Sequence, residues 1–525
     1  ANETAAIALL HEATRAGTHV VVFPELHLTG ATCSDLFQQP ALQTGALNAL
    51  AQVCTATRDC TAMAVLGLPL VMDGQLFNCA VAIQNGAVLG VVPKTFIPGD
   101  REHHEPRWFA PGTRMRSACA RLNGMTVPCG TDLLFHADDL PGLCVGVELC
   151  EDLWAPQPPS TTQALMGATV LVNLSAGIEL VGKAAYRRTL VQQQSARCLA
   201  AYVMAGAGVH ESTTDAVYSG HALIAENGEC LTETARFQRA PELLIADIDL
   251  AYLARERQIP TSFRQASGDG QAAFRSIAFQ AAAAAWQLPI RRAIATHPFV
   301  PEQAAERDER YRDIFAMQTA GLAKRLEHCG LQQVVLGVSG GLDSTLALLV
   351  CVKTFDLLGL DRQGINAVSL PGYGTSPHTR AIAQQLCAAL GVPLREIDIR
   401  PACDQHLRDI GHDRAARDVI YENVQARERT QLLMNLANQR GALHIGTGDL
   451  SELALGWCTF NGDQMAMYSV NCGIPKTLVI CLVQWAAETA TAADARTALQ
   501  AVLTTPISPE LLPPDAAGAI AQKTE

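Results

Sequence analysis

No stretch of the 525-residue sequence stays apolar long enough to cross a bilayer as a helix, and no signal-peptide pattern opens it. The Ala-rich run from Gln280 to Leu288 is far too short for that role. A basic excess is lacking as well. Lys and Arg total 39 against 51 Asp and Glu, a net charge of −12, so no domain-scale positive surface is present to neutralise nucleic-acid phosphates. A single nucleotide is not excluded, because it needs only local donors. The 17 cysteines include no C-x-x-C pair and no Cys/His zinc spacing. Their scatter and odd number argue against a disulfide framework and for a reduced, cytoplasmic setting. Charged residues, at 17 %, fall below the usual quarter, while 49 % of residues are hydrophobic. That balance predicts large buried surfaces, and a homo-oligomer is expected. There is no internal repeat.

What is present is length and alternation. At 525 residues the chain exceeds one ordinary core, so two or more domains are expected. Apolar runs at Thr18 to Phe23, Ala62 to Leu68, Leu143 to Val147, Ala168 to Leu174, Leu199 to Ala205 and Leu243 to Ile248 predict buried strands. Asn85-Gly86 and Asn227-Gly228 each predict a two-residue hairpin turn. With helical composition between strands, as at Arg187 to Cys198, residues 1–257 read as a mixed α/β sandwich. Periodicity fades over 258–301, which reads as a linker. From 302 to 525 a long helix precedes βαβ alternation. This predicts a parallel, Rossmann-like sheet whose ligands bind beyond the strand C-termini.

One loop stands out in that second half: Gly337, Val338, Ser339, Gly340, Gly341, Leu342, Asp343 and Ser344. A buried strand precedes it and an apolar helix follows. A glycine turn into a helix start exposes unpaired N–H groups at the positive end of the macrodipole, where phosphate binds well. Ser339 and Ser344 add hydroxyl donors, and Asp343 could hold magnesium beside the phosphates. The Gly-Lys-Ser/Thr ending of a Walker A loop is missing, so an ordinary kinase or GTPase does not fit. A tight turn that binds nothing is the plain alternative.

In the first half, Glu25, Lys94 and Cys150 each stand just past the end of a predicted strand. Loops after strands of one sheet can converge into one pocket. A cysteine thiolate attacks an amide carbon, and an ammonium favours both the thiolate and the developing oxyanion. A carboxylate can take the thiol proton and later return it. Taken singly, each has a structural reading: a buried cysteine is a small hydrophobe, and a glutamate can cap a helix.

The words around the trio are Phe-Pro-Glu-Leu at 23–26, Pro-Lys-Thr-Phe-Ile-Pro at 93–98 and Glu-Leu-Cys-Glu-Asp at 148–152. In this order they resemble the nitrilase/amidase superfamily. The resemblance implies an α-β-β-α sandwich, with Glu25 as base, Lys94 as oxyanion stabiliser and Cys150 as nucleophile. It also implies a further glutamate after the lysine, at Glu102. The Ser-Gly-Gly-x-Asp-Ser loop resembles the ATP pyrophosphatase signature. Tyr421 to Arg427, Gly446 to Glu452 and Pro475-Lys476-Thr477 look like the NAD⁺ synthetase domain. An amidase followed by that domain is the architecture of glutamine-dependent NAD⁺ synthetases.

The reaction so implied adenylates deamido-NAD⁺ with ATP and Mg²⁺. Ammonia from L-glutamine, passed between domains, then displaces AMP. By motif, residues 337–344 and Thr447 would bind ATP, and Asp343 and Glu452 would carry the metal. Asn423, Glu452, Trp457, Cys458, Thr459 and Phe460 would contact deamido-NAD⁺, with Lys476 approaching the phosphates. Asp100, Glu102, Glu151, Gly177 and Lys183 would line the glutamine pocket, Lys183 pairing with its carboxylate.

Departures from the family are concentrated in that pocket. Asp100 and His103 stand where aromatic residues are usual, and Gly177 and Ile178 replace a Ser-Pro. The initial methionine, the first strand of the amidase domain and a C-terminal segment are also missing, so an incomplete chain is expected. Two other outcomes stay open at this stage: an ammonia-dependent synthetase with a silent amidase half, and a silent oligomeric scaffold.

Overall fold

The computed structural model describes residues 2–100, 103–122, 124–267, 273–281, 289–301, 303–508 and 511–512. The chain divides into two compact units, residues 1–293 and 294–525.

The first unit is built on two sheets. One holds β1 (Val20–Val22), β2 (Met63–Met72), β3 (Gln75–Gln84) and β4 (Ala87–Pro93) in that order. Asn85 and Gly86 take φ values of 48° and 77°, the left-handed pair that a two-residue hairpin needs between β3 and β4. A small hairpin follows, β5 (Cys119–Leu122) with β6 (Met125–Pro128). The second sheet draws on β7 (Leu133–Ala137), β8 (Cys144–Leu149), β9 (Val170–Ser175), β10 (Ala201–Gly206), β11 (Leu223–Glu226), β12 (Glu229–Glu233) and β13 (Arg275–Phe279). Its order is β12-β11-β10-β9-β8-β7-β13.

Both faces of each sheet are buried, which explains why the strands read as continuous apolar runs. On β2, Met63 and Val65 meet Val145, Val147, Val170 and Val172 of the other sheet. Their neighbours Ala64, Leu66, Leu68 and Leu70 face outward onto α1 (Asn2–Arg15) and α2 (Pro40–Ala56). The far face of the second sheet is covered by α3 (Pro159–Leu165) and α4 (Lys183–Cys198). The layers are thus α-β-β-α, as expected.

Two expectations need correcting. Residues 258–301, read as a linker, contain the end of α5 (Leu250–Gln258), α6 (Thr261–Ala266) and β13, which pairs in parallel with β7. Leu243 to Ile248 forms no strand. The edges of the large sheet are taken by β12 and β13, and the segment only leans Leu243 and Ile248 on the cores.

The second unit is a five-stranded parallel sheet. After α7 (Ala304–Cys329) come β14 (Val334–Gly337), α8 (Leu342–Leu358), β15 (Ile365–Ser369), α9 (Pro377–Ala389), β16 (Leu394–Glu396) and α10 (Arg400–Asp409). Then follow α11 (Val419–Arg440), β17 (Leu443–Gly446), α12 (Leu450–Leu455), β18 (Tyr468–Ser469), α13 (Lys476–Thr489) and α14 (Ala493–Thr504). The strand order β16-β15-β14-β17-β18 reverses direction at β14. A switch point of this kind opens a crevice at the C-terminal ends of β14 and β17. Helices cover both faces: Val334 and Leu336 join the core with α7, α8 and α13, while Val335 faces α10 and α11. Among the described residues no helix is long and apolar enough to cross a membrane.

Phe135 is 0 % exposed between the two sheets of the first unit, whereas Val71 on β2 is 54 % exposed. Replacing Phe135 by Ala should cost about 3–5 kcal/mol, and Val71→Ala less than about 0.5 kcal/mol. Denaturant midpoints of the two variants read the difference.

Candidate active sites

Glu25, Lys94 and Cys150 come from three separate strand ends. Glu25 follows β1 on a loop pressed against β2, where Phe23 N–H donates to Val65 O and Leu28 N–H to Gly67 O. A Cβ on Gly67 would collide with Leu26 N and Pro24 O, so only glycine admits the Glu25 loop at this depth. Lys94 ends the hairpin, its N–H donating to Asn78 O at 2.8 Å. Cys150 ends β8 at the start of a short 3₁₀ turn, Cys150–Trp154, with φ of 40°. A left-handed backbone at a residue other than glycine costs roughly 1–2 kcal/mol and is kept only where the surroundings enforce it.

The side chains converge. Lys94 Nζ, 0 % exposed, donates to Glu25 Oε1 at 2.7 Å and to Glu105 Oε1 at 2.7 Å. Glu25 also accepts from Asn78 Nδ2 at 2.7 Å and from Ala176 N–H at 2.8 Å. Ser175 Oγ lies 3.5 Å from Cys150 Sγ. Asp152 accepts from Thr95 N–H, Phe96 N–H and Leu149 N–H, tying the lysine loop to the cysteine turn. The N–H of Cys150 is committed to Asn173 Oδ1 at 3.1 Å, which leaves the Lys94 ammonium as the charged donor for an oxyanion.

Burial sets the protonation states. It pushes the Cys150 thiol up to about 12, with Glu25 adding to the rise and Lys94 opposing it. At rest the cysteine is therefore a thiol, and its proton must leave as attack proceeds. Burial by itself would lower Lys94, but the carboxylates of Glu105 and Glu25 hold it well above its ordinary value. Glu105 is raised to about 7 by burial, despite Lys94. Asp152 is likewise raised to about 7 by burial and then by Glu148.

The structure puts Glu105, a glutamate the sequence reading did not single out, against the lysine. Glu102 lies outside the described residues. Glu105 opens a 3₁₀ turn, Glu105–Arg107, and this turn swings its carboxylate back onto Lys94. The other four pocket residues gather nearby. A Cβ on Gly177 would sit 4.0 Å from Cys150 Sγ and 4.0 Å from Lys183 Nζ. Lys183 Nζ lies 5.3 Å from the centre of the Trp154 ring. Glu151 is raised by burial, and the charges of Lys94, Asp100 and Lys183 all reach it.

In the second unit the loop after β14 turns into α8 through Gly340, whose φ is 87° and whose Cβ would collide with Thr379 O. Gly341 N–H donates to Ser339 Oγ at 3.2 Å, and Ser339 Oγ lies 3.1 Å from Ser344 Oγ. The loop after β17 brings Asp449 and Glu452 opposite Asp343, with one oxygen of each carboxylate within 4.8 Å of the others. Asp449 had not been expected in this role. It is the N-cap of α12 and accepts from Glu452 N–H at 2.8 Å. Lys476 Nζ sits among the three, 2.7 Å from Asp343 Oδ2, 2.7 Å from Asp449 Oδ2 and 3.4 Å from Glu452 Oε1.

Burial and the Asp343 charge raise Glu452 to about 7, while the carboxylates hold Lys476 up against its own desolvation. Asp343 Oδ1 is buried and has no hydrogen-bond partner. Three converging carboxylates with an unsatisfied oxygen form a hard donor set that fits Mg²⁺. Asn471, also unforeseen, donates to Asp343 O and Thr447 O and so fastens the two loops together. Of the residues expected at deamido-NAD⁺, Asn423 accepts from Thr459 Oγ1 at 2.9 Å and Glu452 O accepts from Trp457 N–H at 2.9 Å. Trp457 and Phe460 are 56 % and 74 % exposed, and Cys458 is exposed beside them. They form an open face rather than core. Lys476 lies on the carboxylates.

Family profiles match both units: carbon-nitrogen hydrolase over residues 2–258 and NAD synthase over residues 314–493. Curated glutamine-dependent NAD⁺ synthetases from Mycobacterium bovis and Mycobacterium tuberculosis are each 43 % identical over 506 residues, 95 % of this chain and 74 % of theirs. That from Mycobacterium leprae is 42 % identical over 508 residues, 95 % of this chain and 75 % of its own. The chain belongs to the glutamine-dependent NAD⁺ synthetase family. A solved member from Acinetobacter baumannii, in complex with adenosine diphosphate, is 22 % identical with a TM-score of 0.40 over 96 % of this chain and 81 % of that one, too loose a likeness to add weight. All 17 cysteines are free thiols.

Glu105 also makes a testable contribution to stability. Its folded pKa of about 7 lies above the ordinary 4.5, so folding favours its protonated form. That stability is fully present below about pH 4.5 and is lost as pH rises through about 7. Thermal midpoints of wild type and Glu105→Gln between about pH 5 and about pH 8 should show the variant gaining relative to wild type as pH rises. A difference independent of pH would contradict the assignment.

Proposed function

We propose that the chain forms NAD⁺ from deamido-NAD⁺ in two linked reactions, with ammonia released from L-glutamine in the first unit and consumed in the second. The observation that carries this reading is the pairing of a buried Glu-Lys-Cys amide site with a carboxylate-rich nucleotide loop in one chain. In the first unit, Cys150 Sγ attacks the glutamine amide carbon while Glu25 accepts the thiol proton. Lys94 Nζ takes the developing oxyanion. Glu25 then returns the proton to the leaving nitrogen, and ammonia departs from a thioester. Glu25 next activates water, which cleaves the thioester to glutamate and frees the thiol. Glu105 shares the Lys94 charge and keeps its ammonium in place.

The pocket suits an α-amino acid amide. Lys183 supplies a cation for the α-carboxylate and Glu151 an anion for the α-ammonium, with Gly177 leaving room between Lys183 and the sulfur. In the second unit the N–H groups and hydroxyls of residues 337–344 hold the ATP phosphates, with Thr447 beside them. Mg²⁺, held by Asp343, Asp449 and Glu452, would offset the charge of the departing pyrophosphate. Asn423 and the Trp457–Phe460 face position the nicotinate ring, its carboxylate is adenylated, and ammonia displaces AMP. A cytoplasmic homo-oligomer is the working form we propose, in keeping with the unpaired thiols and the exposed apolar residues of the second unit.

Two variants test the scheme through NAD⁺ formation from deamido-NAD⁺ and Mg·ATP. Cys150→Ala should lose glutamine-supported formation by at least about 10³-fold and keep the ammonium-supported rate. Equal loss with both donors would sink the two-site reading. Asp449→Ala should instead lose both, by about 10²-fold or more, with a raised Mg²⁺ requirement. An Asp449→Ala enzyme active at the wild-type rate would remove Asp449 from the cation site.

A further inference from the structure

The left-handed backbone of Cys150 needs a cause, and within its own turn Asp152 reaches only the preceding Leu149 N–H, not the peptide groups of Cys150 itself. We propose that Asn173 is the positioning residue for the nucleophile: its carboxamide brackets the Cys150 backbone and holds the sulfur against Glu25 and Lys94. This rests on the amide-cleaving reading above. Asn173 Oδ1 accepts from Cys150 N–H at 3.1 Å, and Asn173 Nδ2 lies 3.4 Å from Cys150 O, to which it donates. A backbone N–H can only donate, so the orientation of the amide is set by its partner. One planar side chain thus engages both peptide groups that flank the Cys150 Cα, where φ is 40°. No other described side chain is hydrogen-bonded to the Cys150 N–H.

Asn173 can do this because it is itself immobile. It is buried on β9, directly across from Glu148 on β8 in the parallel register. Glu148 is fixed in turn by Ser160 N–H at 2.8 Å and by the Tyr202 hydroxyl. Further along the same strand, Ser175 Oγ meets Cys150 Sγ at 3.5 Å, and the next residue, Ala176, donates its N–H to Glu25 Oε2 at 2.8 Å. Three residues at and just past the end of β9, Asn173, Ser175 and Ala176, therefore set the nucleophile backbone, the sulfur and the base against one rigid edge. Glycine would adopt the Cys150 conformation freely, but the nucleophile cannot be glycine. The bracket does what residue choice cannot.

A displacement of about 1 Å in a reacting atom costs on the order of 10²-fold in rate. Asn173→Ala should therefore lower kcat for ammonia release from glutamine by about 10²-fold or more, with KM for glutamine within about threefold. Iodoacetamide labelling of Cys150, followed by peptide mass spectrometry, should slow by at least about tenfold. Asn173→Asp, which keeps the acceptor for the Cys150 N–H, should retain more of the labelling rate than Asn173→Ala. Wild-type ammonia release, abolished in Cys150→Ala, is measured first. Its absence would overturn the amide-cleaving reading, while the labelling rates test the bracket without any glutamine. An Asn173→Ala enzyme with kcat or labelling within about threefold of wild type overturns the proposal. So does loss of the cooperative melt of the first unit in both variants, which would make Asn173 a packing residue of β9.

Discussion

A fully buried ammonium is the constraint on which the first unit depends. Lys94 is 0 % exposed, and an isolated charge in such a place would be prohibitively costly. Its two carboxylates, Glu25 and Glu105 at 2.7 Å each, are what make the position tenable. That requirement fixes much else. Glu25 must reach the end of β4 from the end of β1, which is why the intervening strand carries Gly67 at the contact. Glu105 must return to the lysine within eleven residues, which the 3₁₀ turn permits. Burial first, and then both carboxylates against the opposing Lys94, hold the cysteine thiol protonated at rest, so the environment that buries the ammonium also sets the starting state of the chemistry.

The second unit solves the opposite problem. Lys476 stands among Asp343, Asp449 and Glu452, one cation against three carboxylates rather than against two. The residual negative charge is left uncompensated, and burial answers it by raising Glu452 and Asp343 toward the neutral form. Such a cluster is poised to take up a divalent cation, because binding returns the carboxylates to their charged state and satisfies Asp343 Oδ1.

How much was legible follows from how local each signal is. The hairpins at Asn85-Gly86 and Asn227-Gly228 were readable because the turn residues alone demand a left-handed backbone. The Rossmann-like half was readable because its central strands β14, β15 and β17 carry apolar runs, whereas the two-residue β18 (Tyr468–Ser469) has none and was not foreseen. Strand β13 was not: its pairing with β7 joins residues about 140 apart, and its own stretch, Arg275–Phe279, is too short and polar to announce itself. Leu243 to Ile248 shows the reverse error, a strand-like pattern whose apolar residues serve packing without entering a ladder. Among site residues, Glu25, Lys94, Cys150 and Asp343 carry chemistry that can be named from residue type. Glu105 went unnamed because counting along a loop cannot say which glutamate a turn will bring back. Asn173 and Asn471 reach the backbone of other, distant loops, so nothing in their own sequence neighbourhood reveals them.

The altered amide pocket can be understood through the same charge logic. Where aromatic walls are replaced by Asp100 and His103 and a serine by Gly177, contact area and one hydroxyl are lost, and the polar groups that remain matter more. Lys183 is not loose in that space, since its ammonium rests 5.3 Å from the Trp154 ring centre, and Trp154 packs in turn on Tyr186. Trp154 is the last residue of the cysteine turn, and Lys183 is the first of α4. The cation that would read a substrate carboxylate is therefore held by the same short turn that holds the nucleophile. Their separation thus depends on the Trp154 ring as well as on the α4 backbone that carries Lys183.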